Sequence, residues 1–572
     1  MMDARNTLRP TRFLLVVLGL LCNACGDGET DAVEPKLAGC PHRAGAPGSC
    51  GGSAEEWTPL VEFPAGVHDA ARVYDRQFHA LSAYATGVNA DVRVDLANAE
   101  QRQAIATFLT QSEGWDFEAS SGRSPETTLD AFGAAAGLYA GVGIAADAFR
   151  YATLRDEGQS CAEVARAREH LQRGMRALIL ASEITGEPGV IARGFARKDL
   201  PGDGQSATTP LFDSDGNPLP AEKDNGTWRE DNSGGKYPDY IWVDSCSRDM
   251  YVGWALALAA VWEVTEADAS IDDELKKSLR RQATAMARSL MQVGEEGYDL
   301  EIRDADGRRT FHGVLNENAI DRFYLAGASN GMYGMMSLGI VAALAFVSRE
   351  PDIDRYLNDQ LIGERQLHEL ARDNLVGVDL DVKSNYSSYN MAFMGALLAG
   401  RYLCNEDARG ALAIAVRDAL YARPGRSRQP SEQGQSLYDF VFAHAVLDLS
   451  ALQRSAAPLG DDVAPAVARG VASLEEFRAP PSWDEPRLNC DEAEITAGVC
   501  IAEDGTQLTL LGYVGRGDKL VSKEPVPMRT RPASNYHWRS NPYEVNGDST
   551  GTTLLPGVDF RIAYWLGRWA RR

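Results

Sequence analysis

Positive charge is scarce in this sequence. Over 572 residues, 57 Lys and Arg stand against 81 Asp and Glu, a formal net charge of −24. A polyanion would meet a repelling surface with no Lys/Arg stripe to offset it, which excludes nucleic acid as a partner. Long apolar runs are scarce too. The run near the start, Phe13 to Leu21, is far shorter than the roughly 20 residues a bilayer crossing needs, and no later segment is expected to cross. Strand-type alternation is confined to short pieces such as Gln507–Tyr513 and Tyr298–Ile302. Strands alternating with helices are missing, which argues against a parallel α/β sheet. No Walker loop, HExxH, CxxCH or dinucleotide fingerprint stands in a supporting context, and no Cys/His spacing suits a zinc cluster. A 44% hydrophobic, 24% charged composition is that of a globular protein and excludes wholesale disorder.

The first residues carry an address. Arg5, Arg9 and Arg12 precede the apolar run, and Leu20-Leu21-Cys22-Asn23-Ala24-Cys25 follows, the layout of a secretory signal. A small residue and then Cys at the end of that run resembles a bacterial lipobox, although Cys22 stands where Leu is usual. The resemblance implies that Cys25, ahead of Cys22, becomes the palmitate-bearing first residue of an envelope lipoprotein. Such a protein would be tethered in the outer membrane, facing the periplasm or the surface. Residues 26–56, rich in Gly, Ala, Pro and acids, read as a spacer, leaving 57–572 as the folded body. In an oxidising compartment the ten-residue spacings Cys40–Cys50 and Cys490–Cys500 favour closure. Cys161, Cys246 and Cys404 remain, an odd number, so at least one thiol is expected to be buried and inert.

Most of that body reads as helical hairpins. Apolar residues return at three- and four-residue steps, as in Tyr251, Trp254, Ala255, Leu258 and Val261, through segments near 69–86, 127–153, 160–184, 248–266, 273–293, 329–348, 360–373, 387–404, 407–421, 436–454 and 557–570. The predicted class is all-α, an α-hairpin array or closed α/α toroid with a few short strands and no fixed-period repeat. Two long loops interrupt it, at 186–244 and about 476–556. Loops of that length in a compact domain are usually functional, and the first is expected to be ordered and to cover one mouth of the fold.

The sharpest chemical cluster is Trp242-Val243-Asp244-Ser245-Cys246-Ser247-Arg248-Asp249-Met250-Tyr251-Val252-Gly253-Trp254. Asp244 or Ser245 is placed to cap a helix and Asp249 to sit in its first turns, a role that needs no function at all. Set beside Arg248 and flanked by aromatics, the same two acids also suit glycosidic chemistry, one protonated towards the leaving oxygen and one ionised. Trp242 and Trp538 are candidate stacking platforms for sugar rings, and Tyr386, in the 379–390 segment, is a candidate acid/base group for a lyase. Asn316–Tyr324 could add a carboxylate. The Asn535–Tyr543 loop offers stacking and anion pairing, and its His537 is the histidine to consider for catalysis.

Two short matches weigh less. Gly327-Ala328-Ser329-Asn330-Gly331 fits G-x-S-x-G, but that elbow requires a strand before Ser329 as well as a helix after it. Asp213-Ser214-Asp215-Gly216-Asn217 makes the vicinity of Asp213 and Asp215 a candidate calcium site, although the later ligands of an EF-hand are missing and a Gly/Asn turn is the simpler reading.

The stretch Asp244-Ser-x-Ser-x-Asp249-x-x-x-Gly253 and the ending Pro556-Gly557-Val558-Asp559-Phe560-Arg561-Ile562-Ala563-Tyr564-Trp565-Leu566-Gly567-Arg568-Trp569 resemble large bacterial proteins of uncharacterised function with helical-toroid domains, related to the six-hairpin, or (α/α)6, glycosidases and polysaccharide lyases. The resemblance implies a toroid with an acidic and aromatic cleft at one end. The expected function is therefore glycan hydrolysis or β-elimination by an envelope lipoprotein, with Asp244 and Asp249 as acid/base groups, Arg248 for a substrate carboxylate or sulfate, and no cofactor. The alternative is a non-catalytic lipoprotein that binds a glycan or a protein of the envelope, with a serine hydrolase using Ser329 third.

Overall fold

The computed structural model describes residues 59–373, 380–451, 460–491 and 498–570. The expected signal and spacer, Cys22, Cys25, Cys40, Cys50 and position 379 lie outside them.

The body is mostly α-helical. Six helices are buried on nearly every described side: Gly137–Asp156, Arg248–Thr265, Gly331–Ser348, Tyr386–Tyr402, Ser436–Ala451 and Val558–Trp569. A helix without an exposed face belongs in an interior. Gly331–Ser348 is long and apolar enough to cross a membrane, against expectation, yet 94% of it is buried inside the protein, and it serves as a core helix.

Each of the six packs on the next in chain order, and the Val558 helix packs back on the Gly137 helix. Helices with one polar face back them: Ala65–Gln77 on the Val558 helix, Cys161–Glu183 on the Gly137 helix, Asp273–Met291 on the Gly331 helix, and Gly460–Glu475 on the Ser436 helix. The shorter Leu367–Asp373 and Glu406–Ile414 pack on the Gly331 helix and between the Tyr386 and Ser436 helices.

Two crossings are made by facing glycines. A Cβ on Gly141 would stand 2.1 Å from the carbonyl oxygen of Gly253, and one on Gly339 would stand 2.3 Å from that of Gly395. No side chain fits either contact, so the backbones of the Gly137 and Arg248 helices, and of the Gly331 and Tyr386 helices, approach directly.

A buried ionic network joins the start and end of the described body. The Arg561 guanidinium, fully buried, donates to Asp75 (2.6 Å) and Asp147 (2.5 Å), while Arg150 pairs with Asp75 at 3.2 Å and His79 with Asp147 at 2.9 Å. The His79 and His170 rings stack with centroids 3.6 Å apart, and burial pushes both imidazoles far below their ordinary range. Backbone bonds from Leu60 N to Ala570 O (2.6 Å) and from Val61 N to Gly567 O (3.0 Å) close the same seam.

The structure departs from the sequence reading in four places. The helix expected from 127 starts at Gly137, because 131–136 is taken by two short strands. The helices Ala99–Gln111 and Gly460–Glu475 were not anticipated. The 186–244 loop is built around a sheet in which Tyr240–Val243 pairs antiparallel with both Gly194–Arg197 and Trp228–Glu230.

Candidate functional site

The strand Tyr240–Val243 delivers residues 244–247 to the start of the Arg248 helix, whose N-cap is Ser247 rather than Asp244 or Ser245. Asp244 is wholly buried. It accepts from Thr227 N at 2.8 Å and from the Arg229 guanidinium at 2.7 and 3.1 Å, and it pairs with Lys223 at 3.0 Å. Lys223 also reaches Asp304 (2.5 Å) and Asp306 (3.3 Å). Burial pushes the Asp304 carboxyl up to about 6, with Lys223 opposing. Asp304 accepts the N–H of Ser245, which holds the left-handed φ of 59°. These groups anchor the turn beneath the helix. Asp244 and Asp249 are thus not brought to one point.

Asp249 instead lines a cleft of about 680 Å³. Three helices present their N-terminal ends there, through Ser247, Arg248 and Asp249, through Asn330 and Tyr333, and through Asn385, Ser387 and Ser388. Free N–H groups and the aligned helix dipoles favour anions at such ends. Among the described residues four arginines, Arg193, Arg248, Arg516 and Arg539, share the lining with two acids, Asp249 and Asp321. Ser247 Oγ donates to Asp249 and accepts from Arg193 at 2.9 Å. Arg539 donates to the Tyr139 hydroxyl at 2.6 Å. Burial raises the Tyr139 pKa against the pull of Arg539, and Asp249 adds to the rise.

Opposite stands His312. Its Nδ1 lies 3.1 Å from Asp321 Oδ1, which also takes a 2.8 Å bond from Arg248 Nη2. Burial lowers the His312 pKa, with Asp321 opposing and Arg248 adding to the fall. Burial would raise Asp321, but Arg248 and His312 more than offset it and hold the carboxyl below its usual range. The Arg248 guanidinium lies 5.0 Å from the centre of the Tyr333 ring. Burial raises the Tyr333 hydroxyl, so it keeps its proton at neutral pH.

The other sequence candidates sit elsewhere. Trp242 and Trp538 are fully buried, their indole N–H groups spent on Glu230 O (2.8 Å) and Asp559 O (2.9 Å), and neither has a face open to a sugar. Tyr386 is buried against Tyr389. Ser329 lies in irregular chain after the two-residue strand Phe323–Tyr324, so no strand runs directly into it and the nucleophile elbow is not formed. Asp213 Oδ1 accepts from Asp215 N (2.9 Å) and Asn217 N (2.8 Å), closing a local turn. Among the described residues no group of three or more His, Cys, Asp or Glu is gathered as a metal site. Cys490 and Cys500 form a disulfide, Cys161 and Cys404 are disulfide-bonded, and Cys246 is a free buried thiol whose pKa burial pushes far up.

Sequence reasoning found Arg248, Asp249 and the loop carrying Arg539, but not Arg193, His312 or Arg516. His312 lies in the strand Arg309–Val314, whose burial does not alternate around it, so no sequence pattern pointed to it.

No protein-family model matches this chain, and no curated protein does. Among solved structures, a sugar epimerase from a ruminal bacterium is similar over 77% of this chain and 88% of its own, at 12% identity and a TM-score of 0.33. So loose a superposition fixes neither fold nor chemistry.

Proposed function

We propose that this protein is a lipid-anchored envelope enzyme that cleaves uronate-containing glycans by β-elimination in the arginine-lined cleft. The observation that carries the reading is the gathering of Arg193, Arg248, Arg516 and Arg539 around Asp249 and the His312–Asp321 pair, in a chain of net charge −24. The net charge of such a chain repels acidic polymers, so a local cationic cleft is what would let one in. The cycle of helix packing supports a closed (α/α) toroid with this cleft at one mouth. The lipid anchor rests on the sequence around Cys25.

Elimination fits the titrating groups better than hydrolysis. Inverting or retaining hydrolysis needs one protonated carboxyl, and Asp321 is held ionised by Arg248 and His312. Elimination needs a neutral base, a cation on the uronate carboxylate and a proton donor for the leaving oxygen. Arg516 and Arg539 pair with the carboxylate and make the C5 proton more acidic. His312, kept neutral, takes that proton on Nε2 while Asp321 stabilises the resulting imidazolium. The C4–O bond breaks, a C4–C5 double bond forms, and Tyr333 gives its proton to the departing oxygen. Asp249 holds sugar hydroxyls.

The test is incubation of the purified protein with neutral and uronate polysaccharides, following ultraviolet absorbance of the unsaturated product and new reducing ends together. Absorbance that appears with wild type and vanishes in His312→Gln is expected. Reducing ends without absorbance, lost in Asp249→Asn, would replace elimination with hydrolysis. Saturable binding with neither signal would leave a glycan-binding lipoprotein.

A further inference from the structure

A second cavity, of about 370 Å³, lies at the start of the Val558 helix, walled by Tyr74, Phe477 and Trp483 and by Arg487, Arg531 and His537. Its two buried arginines have no acid. Arg487 is 4% exposed and gives Nη1 to the carbonyl of Arg529, while its Nε has no partner. Arg531 is 5% exposed and spends its guanidinium on neutral oxygens: Val526 O at 2.7 Å, Gln435 Oε1 at 3.2 Å, and Gln433 O. The acids on the same walls are engaged with other groups, Glu485 with Arg478 at 3.0 Å and Asp559 with His537 at 2.7 Å. Among the described residues no carboxylate comes within ion-pair distance of either arginine.

Buried charges are normally paired, because taking an unpaired one out of water is strongly unfavourable. Burial pushes both guanidinium groups down to about 10, far from the value at which arginine rests in water. Beside them His537 is held by Asp559 through Nδ1, since a carboxylate can only accept. That bond leaves Nε2 for the cavity.

We propose that this cavity is a second ligand site, distinct from the cleft, which takes an oxyanion (carboxylate, sulfate or phosphate) between Arg487 and Arg531 and seats the body of the ligand on Tyr74, Phe477 and Trp483. Planar guanidinium groups match such oxyanions in a paired geometry, and the apolar walls suit a ring carrying the charge. The site does not depend on the activity proposed for the cleft.

Thermal unfolding of the full chain in sodium glucuronate, sulfate or phosphate, each against chloride at equal ionic strength, tests it. A Tm rise that saturates with one anion is expected, and the anion that gives it identifies the ligand's charged group. Ala533→Glu sets a carboxylate on the cavity wall without removing a polar contact. It should raise Tm in chloride and abolish the anion's effect, and Arg487→Gln should weaken the anion at least tenfold. Equal, unsaturating shifts in wild type and both variants would be general salt stabilisation and would overturn the site. A shift removed by Arg248→Gln but not by Ala533→Glu would move the anion to the cleft and overturn it equally.

Discussion

At the scale of single residues, the acids of this protein divide by what surrounds them. Asp244 is sealed against Arg229 and Lys223. Asp244→Asn is expected to lose on the order of 3–5 kcal/mol of stability, because it leaves buried cations uncompensated. Urea unfolding would show that loss, with any remaining turnover per folded molecule unchanged. Asp439 is the opposite case. It is fully buried, one oxygen accepts from the Tyr421 hydroxyl and the other has no partner, and burial raises its carboxyl to about 7 against Tyr421 and Arg469. Its unfolded value is near 3.9, so between pH 4 and 7 the folded state holds a proton that the unfolded chain releases. Stability therefore falls as pH rises through that window, by roughly 1.4 kcal/mol per unit. Urea midpoints at pH 5 and 7.5 should drop further in wild type than in Asp439→Asn. None of this could be read in advance, because an Asp looks the same in sequence whether it caps, pairs or titrates. Trp242 misled for a related reason: an aromatic next to acids suggests a sugar platform, and only the pairing of its strand on both edges shows that the ring belongs to the core.

Elements were more legible than residues. The long helices announced themselves through recurring Ala, Leu and Met, and their starts near 160, 248, 273, 331 and 436 fall within a few residues of the expected ones. Ala99–Gln111 was missed because its exposed face is Gln- and Thr-rich, and Gly460–Glu475 because Pro465 lies within it. The strands of 194–243 run only three or four residues, too short for alternation to register. The facing glycines yield a test at this scale. Gly141→Ala and Gly253→Ala each force a methyl group onto backbone, and each is expected to cost about 1–3 kcal/mol or more. Circular dichroism melts would show it, whereas Gly400→Ala, with open space around its Cβ position, should be neutral or slightly stabilising.

For the whole molecule, charge and connectivity set the terms. A chain of net charge −24 whose cleft is lined by four arginines should bind acidic oligosaccharides more weakly as salt rises. Calorimetric titration of an oligouronate at low and high NaCl measures that slope, and a neutral oligosaccharide should show none. The cleft escaped sequence reading at this scale because its groups lie far apart along the chain, from Arg193 to Arg539, and only the packing order of the helices gathers them. The seam between Leu60–Val61 and Gly567–Ala570, with Arg561 locked among Asp75, Asp147 and His79, has a consequence in time. During synthesis the Val558 helix that fills this gap emerges after the other described helices, so until then Asp75 and Asp147 lack the Arg561 guanidinium and the Ala65 and Gly137 helices lack the helix they close upon. A partly synthesised chain is thereby held short of its native packing until that helix joins the earlier ones.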